Sequence, residues 1–498
     1  MRWFKRSLLA VSVVLVVLVA ALAANTWRAG TRQAMTAAMP AADVGIDAAA
    51  RRLAGAISFR TVSSLENPAR SDAEFDRLHA YLAQQFPRAH AALKKEQVGR
   101  KALLYTWSGS DPAAAPVALM AHQDVVPIAA GTERAWTVDP FAGEIRDGFI
   151  WGRGSLDDKG NLFAQMEAVE SLVASGFQPR QTVYLAMGDD EEVSGLQGAR
   201  AIAQLLKSRG VRLEWVLDEG LLVLEGVLAG LDRPAALIGL AEKGYATFFL
   251  SLDLPPGHSS MPPRTSAIGS MAAALARLEA SPMPASIGGV ANQMFTTLAP
   301  EMSPLNRVML SNLWLTRPLV QAQLEKSPSS NSMLRTTTAL TIMQAGNKDN
   351  VLPGHAEAAV NFRVLPGDTL AGVEAHLVRA LANDAIRLRR YEGNAEPSPV
   401  SPTDSVGYRA ISQSIRQVFP DAVVAPGLMT AATDSRHFAE LSDSVYRFSP
   451  MRMKADDLPR LHGTNERLAV ANYADMIRFY RQLLSSTGSP SAAPGRPG

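Results

Sequence analysis

Short apolar runs alternate with helix-like segments from about residue 46 to residue 238, and this alternation restricts the fold more than any other feature. Three runs read as short buried strands: "VALMA" (117–121), "TVYLAM" (182–187) and "EWVLD" (214–218). Two neighbouring segments, "NLFAQMEAVESLVASG" and "GLQGARAIAQLLKSRG", read as helices that end at a glycine. Strands that alternate with helices in this way predict an α/β domain with a parallel sheet.

The pattern changes near residue 240. From there to 395 the predicted elements follow the order β-α-β-β-α-β, which is typical of a ferredoxin-like α+β domain. A long stretch, roughly 282–333, interrupts this order and reads as irregular. The α/β pattern then returns. We therefore predict an α/β domain, residues 46–238 and 396–486, into which an α+β domain, residues 239–395, is inserted.

Residues 1–24 carry a basic start that is followed by about 17 apolar or small residues. The sequence Ala21-Leu22-Ala23 fits a signal-peptide cleavage site. The alternative is an uncleaved membrane anchor whose basic end stays in the cytoplasm. Both alternatives predict export: an inner-membrane anchored protein that faces the periplasm, or a periplasmic or secreted protein if the segment is cleaved.

The remaining compositional features limit the partners and the chemistry. Residues 25–45 are Ala-rich and predict a tether, and residues 487–498 predict a disordered tail. The chain contains no cysteine, which excludes disulfides, thiolate metal ligands and a cysteine nucleophile. The net charge is +2 and the Lys and Arg residues do not cluster, so the sequence indicates no nucleic-acid partner.

Histidine and acidic residues directly follow the predicted strands. "VALMA" runs into His122, "TVYLAM" is followed by four carboxylates at 189–192, and "EWVL" runs into an acidic pair at 218–219. A further pair, at 157–158, precedes a predicted helix. In open α/β sheets, ligands bind at the carboxyl ends of the strands, where cations allow carboxylates to converge. These donors predict zinc, with manganese or cobalt as alternatives, as two ions that share one carboxylate.

Five segments, taken in their order along the chain, are more specific than any of them alone: "AHQDVVP", "GRGSLDDKG", "GDDEEVSG", "VLDEG" and "LHGTNE". Together they resemble the co-catalytic dizinc metallopeptidase family, which contains aminoacylase, carboxypeptidase S, carnosine dipeptidase, acetylornithine deacetylase and succinyl-diaminopimelate desuccinylase. The resemblance covers roughly residues 46–485. It implies a zinc-peptidase-like α/β catalytic domain with an inserted ferredoxin-like lid, which closes over the site and often forms a homodimer.

The resemblance also implies a role for each matching residue. One ion would be bound by His122 and Asp218, the other by Glu192 and His462, and both by Asp157. Glu191 would be the general base, and Asp124 would orient the ring of His122. Glu219, next to Asp218, remains an alternative ligand. Of the two acids left over, Asp190 is expected to be structural and Asp189 to be solvated.

Further matches lie in the lid and in the loop "TDSRHF". His258 would polarise the scissile carbonyl, in its own subunit or in the partner's. Asn350 and Arg363 match lid positions that face the substrate, and Arg436 matches a residue that contacts a substrate carboxylate. The family has two glycines before the threonine of that loop, whereas this chain has two alanines, which leaves the expectation for Arg436 less direct.

These expectations describe a hydrolase that cleaves the amide bond of a small N-acyl amino acid or peptide with a free carboxylate. The Met-, Leu- and Trp-rich stretch at 283–330 resembles the carboxypeptidase S and N-acyl amino acid hydrolase branch. That stretch would line a substrate pocket, pack in a core or form a dimer contact. The alternatives are a dipeptidase or aminopeptidase, a non-catalytic exported binding protein, and a role in assembly.

Overall fold

The computed structural model describes residues 2–34, 36–39 and 43–488. The expected disordered tail, 487–498, lies outside the described residues except for its first two. The helices are α1 (Arg2–Arg28), α2 (Ile46–Ile57), α3 (Asp72–Gln85), α4 (Pro87–Ala92), α5 (Lys159–Ala174), α6 (Ala199–Ser208), α7 (Ala267–Glu279), α8 (Gly289–Leu298), α9 (Pro304–Ser311), α10 (Leu313–Leu324), α11 (Pro328–Ser332), α12 (Leu370–Leu381), α13 (Val406–Val418) and α14 (Val470–Ser486).

The strands are β1 (Lys94–Val98), β2 (Ala102–Trp107), β3 (Val117–His122), β4 (Ile145–Arg146), β5 (Phe149–Trp151), β6 (Val183–Gly188), β7 (Trp215–Glu225), β8 (Ala235–Glu242), β9 (Gly244–Asp253), β10 (Gly257–His258), β11 (Thr337–Ala345), β12 (Val351–Leu352), β13 (His355–Val364), β14 (Arg387–Arg390), β15 (Val423–Met429), β16 (Val445–Lys454) and β17 (Arg467–Ala469).

A mixed sheet with the strand order β1-β2-β6-β3-β7-β16-β8-β15 forms the centre of the α/β domain. β3 is parallel to β6 and β7, and β7 is parallel to β16, whereas β1 and β2 form an antiparallel edge. Successive strand residues point to opposite faces. Leu119 belongs to the core with α2, α5 and α14, and Met120 belongs to the core with α6. Helices cover both faces, and the predicted α/β class is confirmed.

The inserted domain has the predicted ferredoxin-like arrangement. Its elements run β9, α7, β11, β13, α12, β14, and its antiparallel sheet has the order β11-β13-β9-β14. Ser266 and Thr369 cap the two helices by accepting hydrogen bonds from Gly269 N and Gly372 N. Both helices share one core with the buried side chains of β9 and β13. One face of this sheet is therefore packed, and β11 is an edge strand.

The first of the two chain connections between the sheets passes through a buried lysine. β8 continues to Glu242, beyond the expected domain boundary at residue 238, and β9 begins at Gly244. Lys243, between them, is fully buried. Its Nζ donates hydrogen bonds to Ser332 O and Arg335 O, each at 2.9 Å. The change from one sheet to the other is thus anchored to the end of the helical insertion.

Residues 282–333 contain four short helices, α8 to α11, where we expected irregular structure. Pro304 and Pro328 are the first residues of α9 and α11, a position where the missing N–H of proline costs nothing. In the sequence these prolines read as breaks in a helical pattern. The helices bury Met294, Phe295 and Leu298 against β8 and β15 of the large sheet. The insertion therefore packs on the catalytic domain, as the core-packing alternative required.

The N-terminal segment has one long helix and a docked continuation. Among the described residues, α1 is the one helix that is long and apolar enough to cross a membrane. Beyond α1, where we expected a tether, Gln33 Nε2 donates to Val424 O at 3.0 Å and Gln33 Oε1 accepts from Val424 N at 2.9 Å. These bonds cover part of the edge of β15. Met39 N also donates to Gln417 O at 3.0 Å.

Candidate active site

The ends of β3 and β6 lie side by side, which brings a histidine next to the acidic loop. His122 is the last residue of β3 and pairs with Gly188, the last residue of β6. The four acidic residues at 189–192 follow Gly188 directly. Because His122 is only 1% exposed, its imidazole must be satisfied by neighbouring groups rather than by bulk water.

Asp157 lies between two histidines. Its Oδ1 is 2.8 Å from His122 Nε2, and its Oδ2 is 3.1 Å from His462 Nε2. Although burial acts in the opposite direction, hydrogen bonds from the two histidines hold the pKa of Asp157 below its usual value. Asp157 is therefore an ionised carboxylate with one oxygen towards each imidazole, which is the geometry that a ligand shared by two cations requires.

Two glutamates extend this group on either side. Glu192 Oε2 is 3.2 Å from His462 Nε2, and Glu219 Oε1 is 3.6 Å from His122 Nε2. Ligand atoms of His122, Asp158 and Glu219 all lie within 4.8 Å of one another. Nitrogen and oxygen donors thus converge on both sides of the shared aspartate.

Asp218, the ligand that we expected beside His122, uses both of its carboxylate oxygens elsewhere. Its Oδ1 accepts a hydrogen bond from Glu219 N at 2.9 Å, and its Oδ2 accepts one from Ser435 N at 2.7 Å. Glu219, the alternative that the sequence left open, lies next to His122 instead. Asp218 and Glu219 are consecutive residues of β7, so their side chains point to opposite faces and only one can reach the histidine.

Asp124 connects His122 to the acidic loop, as expected for a residue that orients the ring. Its Oδ1 lies 3.3 Å from His122 Nδ1, whose other neighbour is Asp124 O at 3.0 Å. The two carboxylate oxygens accept hydrogen bonds from Glu191 N at 3.2 Å and Glu192 N at 3.1 Å. Asp124 is fully buried. One carboxylate therefore positions both a histidine and the two neighbouring glutamates.

The backbone of the acidic loop is held by its own aspartate. Asp190 accepts hydrogen bonds from Gln197 N at 2.8 Å and Gly198 N at 2.9 Å, the structural role that we expected. Burial raises the pKa of Glu191 well above its usual value, and the charge of Glu192 raises it further. A carboxyl group whose pKa is raised in this way holds a proton more readily than an exposed carboxyl group does, which suits a general base.

The expectation that Asp189 is solvated is wrong. Asp189 is 4% exposed, and its Oδ2 accepts a hydrogen bond from Lys101 N at 2.9 Å. Burial and the neighbouring charge of Asp190 raise the pKa of Asp189 to about 7. The loop after β6 folds back towards the start of β2, so Asp189 is buried although it directly follows a strand.

A buried ion pair connects the loop that carries Asp157 to the loop that carries His462. Glu466 Oε2 accepts from Arg153 Nη1 at 2.6 Å, and Glu466 Oε1 accepts from Gly154 N and Leu156 N, each at 2.9 Å. Arg153 Nη2 donates to His462 O at 3.2 Å. Arg153 is 2% exposed and Glu466 is fully buried. The pair thus determines how far the two loops lie apart.

The four expected substrate contacts lie outside the metal-ligand group. His258 is exposed in the lid, where its Nδ1 accepts from Ser260 N at 3.1 Å, and Asn350 O accepts from Ser259 N at 3.1 Å. The guanidinium of Arg363 lies 5.0 Å from the ring centre of Tyr245.

Arg363 lies on β13 of the lid, and Arg436 lies in the loop after β15 of the catalytic domain. Burial, and to a smaller extent the charge of Arg436, lowers the pKa of Arg363. Arg436 Nη2 donates to Ser194 O at 2.9 Å, which attaches this arginine to the acidic loop. The positive charge of Arg436 thus acts on Arg363, while His258 contacts residues of the lid.

Three residues of the site had no role predicted from the sequence. Arg153 and Glu466 occur inside the motifs "GRGSLDDKG" and "LHGTNE", and their opposite charges are the one signal that could have paired them. Asp434 is 3% exposed, and within the described residues neither of its oxygens has a hydrogen-bond partner. Gly195 lets it approach the acidic loop, because a Cβ there would lie 1.8 Å from Asp434 Oδ1.

The donor set fits divalent cations. Within the described residues, Glu192 Oε1 is buried and has no hydrogen-bond partner. Hydrogen bonds to Asp157 and Glu192 raise the pKa of His462 to about 10, so the surroundings of this imidazole strongly favour positive charge. Buried carboxylates at such distances repel one another unless a cation lies between them. Histidine nitrogen and carboxylate oxygen are ligands that zinc and related ions accept.

Comparison with known proteins decides the family. The model of peptidase family M20/M25/M40 matches residues 118–486, which include the five motifs. The chain belongs to this family. It is 42% identical, over 87% of its length and 84% of the relative's, to an N-fatty-acyl-amino acid synthase/hydrolase of Danio rerio. It is 41% identical, over 88% of its length and 85% of the relative's, to a probable carboxypeptidase S-like protein of Dictyostelium discoideum.

The fold of the M20 protein agrees with solved structures. An M20 family metallo-carboxypeptidase from Sulfolobus solfataricus superposes with a TM-score of 0.63 at 17% sequence identity, over 88% of this chain and 99% of that one. The resemblance that the motifs indicated, including its branch, is confirmed, and so is the catalytic domain with an inserted lid. The M20 protein is a metal-dependent hydrolase, which excludes the non-catalytic alternative.

Proposed function

We propose that this M20 enzyme hydrolyses the amide bond of small N-acyl amino acids or peptides that carry a free carboxylate. The observation that carries the proposal is the position of Asp157, with one oxygen towards His122 and the other towards His462. Glu191 belongs to the loop beside them, and the charges of His122 and Asp157 act on its carboxyl group. The printed functions of the relatives in Danio and Dictyostelium support this substrate class.

We assign two zinc ions to the site, with manganese or cobalt as alternatives. His122 and Glu219 would hold one ion, His462 and Glu192 the other, and Asp157 both. When bound, the ions acidify a water molecule and polarise the carbonyl oxygen of the substrate. Glu219 replaces Asp218 in this proposal because both oxygens of Asp218 accept backbone hydrogen bonds.

Glu191 is the proton carrier of the reaction. Its raised pKa, caused first by burial, lets the carboxylate accept the proton of the attacking water. The same carboxyl group then donates that proton to the leaving amine nitrogen. Cleavage of the amide bond thus yields a carboxylic acid and a neutral amine. Asp124 keeps Glu191 and Glu192 in place through their backbone N–H groups, so proton transfer and metal binding occur on fixed neighbouring residues.

Arg363 and Arg436 are the proposed recognition site for the free carboxylate. They come from the lid and from the catalytic domain, and the positive charge of Arg436 acts on Arg363. An arginine can bind a carboxylate through two parallel hydrogen bonds. A substrate carboxylate between them would offset the repulsion of the two guanidinium groups and draw the lid towards the catalytic domain.

Membrane anchoring and dimer formation belong to the same proposal. The length and apolar composition of α1 support an uncleaved anchor that places both domains in the periplasm. The exposed Leu340, Ile342 and Met343 on the edge strand β11 support a homodimer through the lid. In such a dimer His258, which faces solvent in a single chain, would polarise the carbonyl of a substrate in the partner's site.

The test is the Glu191→Gln variant with a substrate panel. We expect the metal-loaded variant to retain about two ions per chain and to lose roughly 10²–10⁴-fold in kcat, which is the contribution of general base catalysis. Glu392→Gln, an exposed change of the same kind in the lid, is the matched control. Wild-type turnover by Glu191→Gln would remove Glu191 from the mechanism.

The panel compares N-acyl amino acids with free dipeptides. Preference for N-acyl amino acids with a free carboxylate would support the proposal. Cleavage of dipeptides alone, with no turnover of acylated amino acids, would instead assign the dipeptidase or aminopeptidase function, since those enzymes must recognise a free α-amine.

A further inference from the structure

Most of the solvent side of α10 is apolar, with Arg317 and Gln323 as its exposed polar residues. Its exposed residues include Trp314, Leu315, Pro318, Leu319 and Ala322, which repeat at the spacing of one helix face. Trp314 is 59% exposed and Leu319 is 68% exposed. A helix on the surface of a soluble protein normally shows polar residues on this side, so an exposed apolar face indicates an interaction surface. With the exposed Leu305 of α9, these residues form the α9–α10 surface.

The α9–α10 surface begins where α1 ends. Asn312, which precedes α10, is fully buried, and its Nδ2 donates to Thr26 Oγ1 at 3.0 Å and to Leu22 O at 3.3 Å. Arg307 of α9 donates to Thr26 O at 3.4 Å and to Ala29 O at 3.3 Å. The last turns of α1 are therefore attached to α9 and to the start of α10. The bonds between Gln33 and Val424 hold the chain that follows.

The position of the membrane along α1 follows from its length and its tryptophans. α1 has 27 residues, so it is about 40 Å long at 1.5 Å per residue. Trp3 and Trp27 are both exposed. They lie about 36 Å apart along the axis, which spans the roughly 30 Å hydrocarbon core and puts both rings at the interfaces. The outer interface therefore passes close to Thr26 and Trp27, at the level where α10 starts.

We propose that the α9–α10 surface binds the lipid bilayer, in the same leaflet through which α1 leaves the membrane. The proposal rests on the membrane anchoring proposed above and adds a second contact. Leu305, Leu315 and Leu319 would lie among the acyl chains, and Trp314 would lie at the headgroup level. The catalytic domain would then be held against the bilayer in one orientation, because α1 and the α9–α10 surface are two separate membrane contacts that together restrict its rotation.

A lipid surface fits this face better than a second copy of the chain. The attachment of α1 to Asn312 and Arg307 brings the α9–α10 surface to the interface as soon as α1 spans the membrane. A second copy would need to cover the same residues while its own α1 spans the same bilayer. The lid edge β11, which is the candidate dimer contact, lies in another domain.

The absence of cysteine allows a direct test with the full chain. Three single-cysteine variants carry a nitroxide: Leu319→Cys on the α9–α10 surface, Met261→Cys in the lid and Val13→Cys within α1. Each is reconstituted into vesicles of phosphatidylethanolamine and phosphatidylglycerol. Collision of the nitroxide with oxygen, which concentrates in lipid, and with a water-soluble nickel chelate is measured by power saturation. Met261 is 79% exposed and Val13 is 54% exposed, so both controls carry accessible labels.

We expect the Leu319 label to collide more with oxygen than with the nickel chelate, as the Val13 label does, and the Met261 label to show the reverse. A Leu319 label that behaves like the Met261 label would overturn the proposal. If the Val13 label is then in lipid, the anchor stands and only the surface contact fails. Low collision with both reagents at Leu319 would identify a protein contact and would equally overturn it. Hydrolysis by each labelled variant checks its folding.

Discussion

The strongest test of how this site is assembled is the Glu466→Gln substitution. The change keeps the size of the side chain, and the amide oxygen can still accept from Gly154 N and Leu156 N, which donate to Glu466 Oε1 at 2.9 Å. The amide NH₂ group then replaces the oxygen that lies 2.6 Å from Arg153 Nη1. A donor therefore faces a guanidinium that is 2% exposed and has lost its counter-charge.

The expected magnitude follows from that burial. Breaking a buried ion pair by removing one partner costs about 3–5 kcal/mol in the free energy of unfolding. Arg153 also donates to His462 O, so an unpaired Arg153 shifts the loop that carries His462. Loss of a residue that supports a metal ligand weakens metal binding by roughly 10–100-fold. We expect Glu466→Gln to lose stability without metal and to bind zinc more weakly.

The assay combines urea denaturation of the metal-free protein in detergent micelles with zinc titration against a competing chelator. Glu440→Gln is the control, because Glu440 forms an exposed pair with Lys207 and should leave both measurements unchanged. A second variant, Arg153→Met with Glu466→Gln, removes the unpaired cation and should regain part of the lost stability. If Glu466→Gln has wild-type stability and zinc affinity, or if the double variant is no better, the reasoning is wrong.

Three further outcomes follow from the structure. Gly195→Ala should reduce hydrolysis and lower the melting temperature, because its φ is +63° and a Cβ would lie 1.8 Å from Asp434 Oδ1. The pKa of Asp189, about 7, lies above its unfolded value, so its stabilising contribution is complete at acidic pH and is lost as pH rises through neutrality. Asp189→Asn should therefore raise the melting temperature at alkaline pH and not at acidic pH. A mixture of inactive His258→Ala and Glu191→Gln should regain about a quarter of wild-type activity if His258 acts in the partner's site, and none if it acts within its own chain.

The periodicity of apolar residues was sufficient to predict the helices and strands whose side-chain pattern is local. The β-α-β-β-α-β order of the lid and the strands that end at His122 and at Gly188 follow from short runs of side chains, and the structure has them. The helices of 282–333 were missed because Pro304 and Pro328 start helices there, and a proline at a first turn looks like a break when the neighbouring turns are unknown. β8 runs past the predicted boundary at residue 238, since it ends only where its partner β15 ends.

The motifs were enough to predict which kinds of residues meet, because five of them carry the histidines and carboxylates of an M20 hydrolase in their order. Tertiary structure decided which atoms of those residues face one another. Of the consecutive Asp218 and Glu219, strand direction turns one towards the backbone of Ser435 and the other towards His122. The physical reason is that distances between atoms far apart in the chain, such as those from Asp157 to its two histidines, depend on the packing of strands and loops. No local pattern of side chains records that packing.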